Sequence, residues 1–204
     1  MKWLSLLISI LSASVATAKD NGGVKMQLSL GMPYLTITNP DETKANYDGL
    51  AASARGFIPI FYGDKFRTDL TGSFRYLDFE NKANGSSQSE YASYLGPGAG
   101  LELTVYNIYV GASYFYYKGR HTSVGTISHK AEFQISGMSQ YIGIRFEFGL
   151  GALGLSYSQM SAKVPGSAVG LSSSSDWDQS TLWLQFTYNF KTTTGKFLQS
   201  LFGK

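Results

Sequence analysis

Cysteine is missing from this 204-residue sequence. Its absence excludes disulfide bonds, thiolate metal sites and a lipid-modified cysteine at the start of a processed chain. Lysine and arginine form no run and the formal net charge is only +3, so the composition gives no reason to expect nucleic acid as a partner. Beyond residue 18 there is no stretch of about eighteen consecutive apolar residues, which excludes a membrane-spanning helix there.

Glycine and aromatic residues are abundant instead. The sequence holds 23 Gly, 14 Tyr and 13 Phe, while charged residues make up only 15% of it. Aromatic residues favour strands, so this composition predicts a β-rich chain. It also supplies enough aromatic side chains to ring a membrane barrel at both of its interfaces.

The first residues have the composition of a secretory signal. A short positive start at Met1-Lys2-Trp3 is followed by an apolar run and by the small residues Ala16-Thr17-Ala18. This order is typical of a signal peptide, and its apolar part is too short for a membrane anchor. We therefore predict a signal peptide over residues 1–18, with cleavage after Ala18.

Apolar and polar residues alternate in eight runs of the remaining chain. In the last run Leu184, Phe186 and Tyr188 fall on one side of a strand, while Gln185 and Thr187 fall on the other. One face is therefore apolar and the other polar. The eight runs cover residues 24–38, 51–62, 66–76, 91–105, 110–116, 140–148, 153–158 and 181–190.

The connections between these runs alternate in length. Long polar segments are predicted after the first, third, fifth and seventh runs, at 39–49, 81–90, 118–137 and 161–179, and short turns after the second, fourth and sixth. This asymmetry predicts an all-β fold, an eight-stranded antiparallel up-and-down transmembrane β-barrel spanning 19–190. Residues 127–135 could extend the neighbouring strands beyond the membrane, or form a hairpin of their own, in which case the barrel would have ten strands. A soluble lipocalin-type barrel would need an apolar inner face, which the predicted inward positions of Arg67 and Arg145 oppose.

The layout resembles the small eight-stranded outer-membrane barrels, such as the transmembrane domain of OmpA and the OmpX group, over Val24 to Phe190. Tyr188-Asn189-Phe190 resembles the aromatic-ended last strand that the barrel assembly machinery reads in that class. The resemblance implies an outer-membrane location, contact with outer-membrane lipid and lipopolysaccharide, and no cofactor. This chain differs in its added tail, 191–204, whose apolar residues suit a short amphipathic helix at the inner interface or a frayed terminus.

Six charged residues are predicted to face the lumen near the short turns: Lys25, Arg67, Asp69, Glu102, Arg145 and Glu147. An eight-stranded barrel is only wide enough for its own side chains to fill. Charges enclosed there are costly unless they pair. We therefore expect ion pairs that plug the lumen, and a narrow passive pore is the alternative.

An enzyme is the third hypothesis, because some eight-stranded barrels that modify lipid A use a His with a Ser. His121 and Ser123 have that combination at a spacing that places both on one strand face. Their surroundings are polar, however, and we expect no catalysis. Asp176 and Asp178 similarly resemble acidic residues of larger outer-membrane proteases, and with Asp41 and Glu42 they lack a metal-ligand spacing.

The function expected from the sequence is therefore structural or interactive. A fixed barrel that presents variable loops acquires binding through those loops. The sequence does not identify the loop partner. Among the loop residues, Trp177 is the chief candidate for a carbohydrate contact.

Overall fold

The computed structural model describes residues 23–63, 65–82, 89–124, 129–149, 151–164 and 175–193. Their strands are β1 (Gly23–Thr38), β2 (Lys44–Tyr62), β3 (Phe66–Lys82), β4 (Ser89–Val105), β5 (Ile108–Val124), β6 (His129–Phe148), β7 (Gly151–Val164) and β8 (Ser175–Thr193). The predicted signal peptide lies outside the described residues, as does the tail after Thr193. No helix within the described ranges is long and apolar enough to cross a membrane.

The eight strands form one closed antiparallel barrel. Each strand pairs with its chain neighbours, and β1 also pairs with β8, from Gly23 opposite Thr193 to Thr38 opposite Asp176. The predicted eight-stranded up-and-down barrel is therefore confirmed. The ten-stranded alternative is wrong, because residues 129–135 are part of β6 and pair with β5.

The outer surface of the barrel carries an apolar belt between two rings of aromatic side chains. Leu30, Met32 and Leu184 are 57–70% exposed, as in a wall that faces lipid rather than water. The aromatic side chains at both ends of the belt are 41–59% exposed and face outward. They are Phe61, Tyr62, Phe66, Tyr106, Phe148 and Phe190 near the short turns, and Tyr34, Tyr76, Tyr114, Tyr116 and Tyr157 towards the long connections.

Beyond the second of these rings, on the side of the long connections, the inward residues become apolar and the outward residues become polar. On β5 Lys118 and Arg120 are exposed while Tyr117 is buried, and on β8 Asp176 is exposed while Trp177 is buried. Here the barrel is polar outside and apolar inside, like a barrel in water. The strands thus continue past the apolar belt towards the long connections. We call this end of the barrel the long-loop end.

This extension corrects the predicted connections. Residues 118–124 and 129–137, predicted mainly as a loop, are paired strand, and so are 44–49, 81–82, 161–164 and 175–179. Trp177, predicted in a loop, lies in β8. An outward apolar face identifies a strand only within a membrane, so most of the predicted runs end at the edge of the belt. Residues 129–135 follow the alternative in which they extend the neighbouring strands beyond the membrane.

Glycines on the inner face accommodate large rings from the strand opposite. A Cβ added to any of five inner glycines would lie 2.3–2.9 Å from the facing ring. The five directly opposed pairs are Gly31–Trp183, Gly98–Phe115, Gly111–Tyr141, Gly119–Tyr94 and Gly143–Tyr109. A ring folded over a glycine fills a narrow lumen without crowding, which explains why small residues are frequent on this face.

Gly143→Ala is expected to destabilise the barrel by ~1–3 kcal/mol, as overpacking does. The new Cβ would lie 2.4 Å from the Tyr109 ring and 2.6 Å from the carbonyl oxygen of Leu155. Gly72→Ala is the matched control, because no atom lies within 4 Å of a Cβ at that outward position. The control should be neutral or stabilising by ~0.4–1 kcal/mol through the unfolded chain. Urea unfolding in lipid vesicles measures both, and equal effects would contradict the ring-over-glycine packing.

Candidate functional site

The lumen holds two clusters of buried side chains, one above the other. The half near the short turns contains charged residues, which we call the ion-pair cluster: Lys25, Arg55, Arg67, Asp69, Glu102, Arg145 and Glu147. The half towards the long-loop end contains an apolar cluster: Leu35, Ile37, Tyr47, Ala51, Leu77, Phe79, Ala92, Tyr94, Phe115, Tyr117, Ile135, Met160, Val164, Trp177 and Trp183. The charged side chains of the inner face are therefore concentrated in its lower half.

Two ion pairs lie nearest the short-turn end. Lys25 Nζ lies 3.1 Å from Glu147 Oε1, and Arg67 Nη2 lies 2.6 Å from Asp69 Oδ1. Arg67 also donates to the backbone oxygen of Gly23 at 2.8 Å, so that β3 is tied to the start of β1. Apart from Glu147, whose side chain is 20% exposed, these charged side chains are almost completely enclosed.

Glu102 is the centre of the ion-pair cluster. Its side chain is fully buried, and it accepts a hydrogen bond from Arg145 Nη2 at 2.9 Å and a longer one from Arg55 Nη1 at 3.5 Å. The Arg145 guanidinium lies 4.5 Å from the Tyr109 ring centroid, and that of Arg55 lies 4.3 Å from the Tyr141 centroid. This one carboxylate therefore joins β2, β4 and β6 across the lumen.

The six charged residues named from the sequence all point into the lumen, and the structure brings them together as three pairs. Two further inward basic residues, Arg55 and Arg75, lie outside that set. Arg55 shares Glu102, and Arg75 lies higher, 4.0 Å from the Phe115 centroid and 5.2 Å from the Trp183 centroid. Strand alternation had placed both inward, but nothing in the sequence showed how close they come to the predicted charges.

Tyr94 is the centre of the apolar cluster. Its ring contacts those of Phe79, Tyr117, Phe133 and Trp177, with centroids 5.7–6.5 Å apart. Trp177 is completely buried, so it is not available for a carbohydrate contact and that interpretation is wrong. The rings pack inside the lumen above the ion-pair cluster.

His121 belongs to a small polar group at the rim of the lumen, above the apolar cluster. Tyr47 donates from its hydroxyl to Glu90 Oε2 at 2.6 Å, and His121 Nε2 lies 3.4 Å from that hydroxyl and 3.9 Å from Glu90 Oε2. Burial lowers the pKa of His121 below its ordinary value, and the nearby carboxylate of Glu90 partly opposes this shift. The Ser123 side chain is outside the described part of the structure; its backbone lies opposite Glu90 and His129.

The acidic residues considered as ligands have ordinary partners. Asp178 accepts a hydrogen bond from Ser161 Oγ at 2.6 Å, and Asp41 accepts one from Thr43 Oγ1 at 2.6 Å. Among the described residues, no group of three or more His, Cys, Asp or Glu side chains is placed to hold a metal ion. Tyr188 and Phe190, near the end of β8, are outward and about two-fifths exposed, with ring centroids 5.0 Å apart.

A closed eight-stranded antiparallel barrel with an outward apolar belt has the fold of the small outer-membrane β-barrels. Neisserial surface protein A is similar in structure, with a TM-score of 0.51 and 10% identity over 82% of this chain and 97% of that one. Ail of Yersinia pestis has a TM-score of 0.49 and 13% identity, over 82% of this chain and 99% of that one. The outer-membrane protease OmpT of Escherichia coli has a TM-score of 0.46 and 6% identity, over 86% of this chain and 100% of that one. No family model and no curated protein matches the sequence.

Proposed function

We propose that this chain is an integral outer-membrane barrel with a closed lumen, which acts through the surface of its long-loop end. The observation that carries the proposal is the stacking of the two clusters. The lower lumen holds buried ion pairs and the upper lumen holds packed rings, an arrangement that supports the proposal of a closed lumen. Its contribution then comes from its wall and its outer rim.

The extension beyond the upper aromatic ring supports a surface role. Its outward side chains are polar or charged, as at Asp48, Glu80, Arg120 and Lys163, so the end of the barrel stands in water and carries the connecting loops. The apolar cluster gives this extension a core of its own. A packed barrel end that carries surface loops is a suitable scaffold for contact or adhesion.

A strain that lacks the protein provides the test. It is complemented with the wild-type chain, or with a variant in which residues 83–88 and 165–174 are replaced by Gly-Ser segments of equal length. We expect the loop variant to show the heat-dependent gel shift of a folded barrel but to lose surface attachment, with uptake of small solutes unchanged in every strain. Solute uptake that depends on the protein would favour the passive pore instead.

Lipid and lipopolysaccharide are the proposed surroundings of the barrel. Lys118 and Arg120 lie on β5 just above the ring residue Tyr116 and face outward, at the level where lipid phosphates meet water. The exposed Tyr188 and Phe190 near the end of β8 are the proposed recognition feature for the barrel assembly machinery. Both assignments rest on position along the strands.

Lipid A modification is the enzymatic alternative, and His121 tests it. We expect lipid A from cells that carry His121→Ala to have the same mass spectrum as lipid A from cells with the wild-type protein. The physical reason is that His121 Nε2 lies beside Tyr47 and Glu90, in a rim group that is already hydrogen-bonded. The enzyme would be established if wild-type and deletion strains differ in the mass of their lipid A and the His121→Ala strain matches the deletion strain.

A further inference from the structure

The lumen contains more positive than negative charge. Among the described residues, five basic side chains, Lys25, Arg55, Arg67, Arg75 and Arg145, share its membrane-spanning part with three carboxylates, Asp69, Glu102 and Glu147. Lys25, Arg67 and Arg145 each have a carboxylate oxygen within 3.1 Å. The two excess positive charges therefore belong to Arg55 and Arg75.

Arg75 is enclosed without an acidic partner among the described residues. It is 1% exposed, its Nη1 donates to Ser139 Oγ at 3.2 Å, and its Nε has no hydrogen-bond partner. The Phe115 and Trp183 rings flank the guanidinium. Ring faces attract a cation but leave its charge in place, and a buried charge without a counter-charge is costly.

Arg55 adds a second positive charge close by. Among the described residues its only carboxylate contact is the 3.5 Å approach to Glu102, which Arg145 already holds at 2.9 Å, and its Nε also lacks a partner. Register places Arg55 opposite Ser73 and Arg75 opposite Ser53, so the two arginines are diagonal neighbours on β2 and β3. Tyr141, whose ring centroid lies 4.3 Å from the Arg55 guanidinium, is two residues from Ser139, which Arg75 contacts. The positive charges of Arg55 and Arg75 thus face one region of the barrel interior, which screens them poorly.

Hydroxyl groups complete the same region. The buried hydroxyls of Thr71, Ser113, Tyr117 and Tyr141 make no hydrogen bond of normal geometry, although Ser113 lies near Tyr141 and Tyr117 lies near Arg75. Register places Ser113 opposite Ser139, the partner of Arg75, and Thr71 two strands away opposite Gly100, which itself faces Ser113. Each hydroxyl can donate, and buried donors in folded proteins normally have an acceptor.

We infer that a small monovalent anion of the halide class, chloride in the cell, binds between Arg55 and Arg75, with the hydroxyls of Ser113 and Tyr141 as further donors. A halide requires only donors and takes little more room than a water molecule. It would neutralise one excess charge between the ion-pair cluster and the apolar cluster. The inference does not depend on the proposed surface role, since a conducting barrel would refute a closed lumen and leave this site untouched.

Bromide is the direct probe. Crystals of the purified barrel grown in sodium bromide should show an anomalous peak inside the lumen between the two guanidinium groups. In solution, exchange of gluconate for chloride or bromide at constant ionic strength should raise the melting temperature of the wild-type barrel in a saturable way. Arg75→Gln should lose this response, while Arg120→Gln, which removes an exposed arginine of the same charge, should keep it.

The outcomes separate an anion from ordered water. No lumen peak in bromide, together with equal melting temperatures in gluconate and chloride, would overturn the inference and leave water as the occupant. An unaltered response in Arg75→Gln would overturn it as well, because the effect would then come from the surface. If Arg75→Gln does not fold, the bromide peak and the wild-type titration decide the question on their own.

Discussion

Glu102→Gln is expected to lower the free energy of unfolding by ~3–5 kcal/mol, as for a buried ion pair that loses one partner. Glutamine keeps the shape of the side chain but removes the charge that both Arg145, at 2.9 Å, and Arg55, at 3.5 Å, contact. Both guanidinium groups would remain in the lumen, where water cannot replace the lost partner. Equilibrium unfolding in urea, with the barrel refolded into lipid vesicles, measures the loss.

Glu132→Gln is the matched control for this change. Glu132 also pairs with an arginine, Arg120, at 2.8 Å, but on the outer surface, where the two side chains are 73% and 60% exposed. Water and salt screen an exposed pair, so the control should cost no more than ~1 kcal/mol. If the two variants unfold at the same urea concentration, the ion-pair cluster does not stabilise the barrel and its role in closing the lumen loses its support.

Tyr94→Ala is expected to cost ~3–5 kcal/mol, the range for removing a large buried aromatic side chain. Tyr94 is 1% exposed and its ring contacts four others in the apolar cluster. Removal leaves a cavity that these rings can fill only partly. The same urea measurement applies, and the heat-dependent gel shift should occur at a lower temperature.

Tyr91→Ala separates this loss from any general effect of removing a tyrosine from β4. Tyr91 lies three residues away on the same strand, on the outer face, and is 43% exposed. A surface substitution of this kind should change stability by only ~0.5 kcal/mol. Similar losses for Tyr91→Ala and Tyr94→Ala would mean that the upper lumen is not packed as a core.

Strand alternation was sufficient to predict the barrel. Leu184 and Gln185 lie on opposite faces of β8 in the structure, as their alternation indicates, and the same holds for Leu70 and Thr71 on β3. A barrel in lipid needs an apolar outer face along the whole belt, so the signal repeats in every strand and survives local exceptions. The short turns were predicted as well, because the alternating runs on either side leave only a few residues for each turn.

The ends of the strands were not predictable from that signal. From Tyr117 to Val124 the outward residues include Lys118 and Arg120 and the inward residues include Gly119 and His121, a mixture that resembles a polar loop. The physical cause is the change of solvent from lipid to water, which reverses the face that must be apolar. A search for inverted alternation, with inward Tyr117 and outward Lys118, would have found the extension.

The partners inside the lumen lie further beyond the sequence. Alternation places Arg55, Glu102 and Arg145 on the inner face, but only the register across β2, β4 and β6 brings Glu102 to both arginines. The position of Arg75 depends on ring packing as well, since Gly98 makes room for the Phe115 ring beside it. Pairing in a closed barrel is a property of strand stagger, which no local pattern encodes.

Single-channel recording in planar bilayers tests the closed lumen most directly. If the ion-pair cluster and the apolar cluster close the lumen as proposed, the wild-type barrel should show no steady conductance and at most rare, small openings. The heat-dependent gel shift of the same preparation shows that the inserted protein is folded. A steady, large conductance from that folded protein would contradict the account and favour a pore.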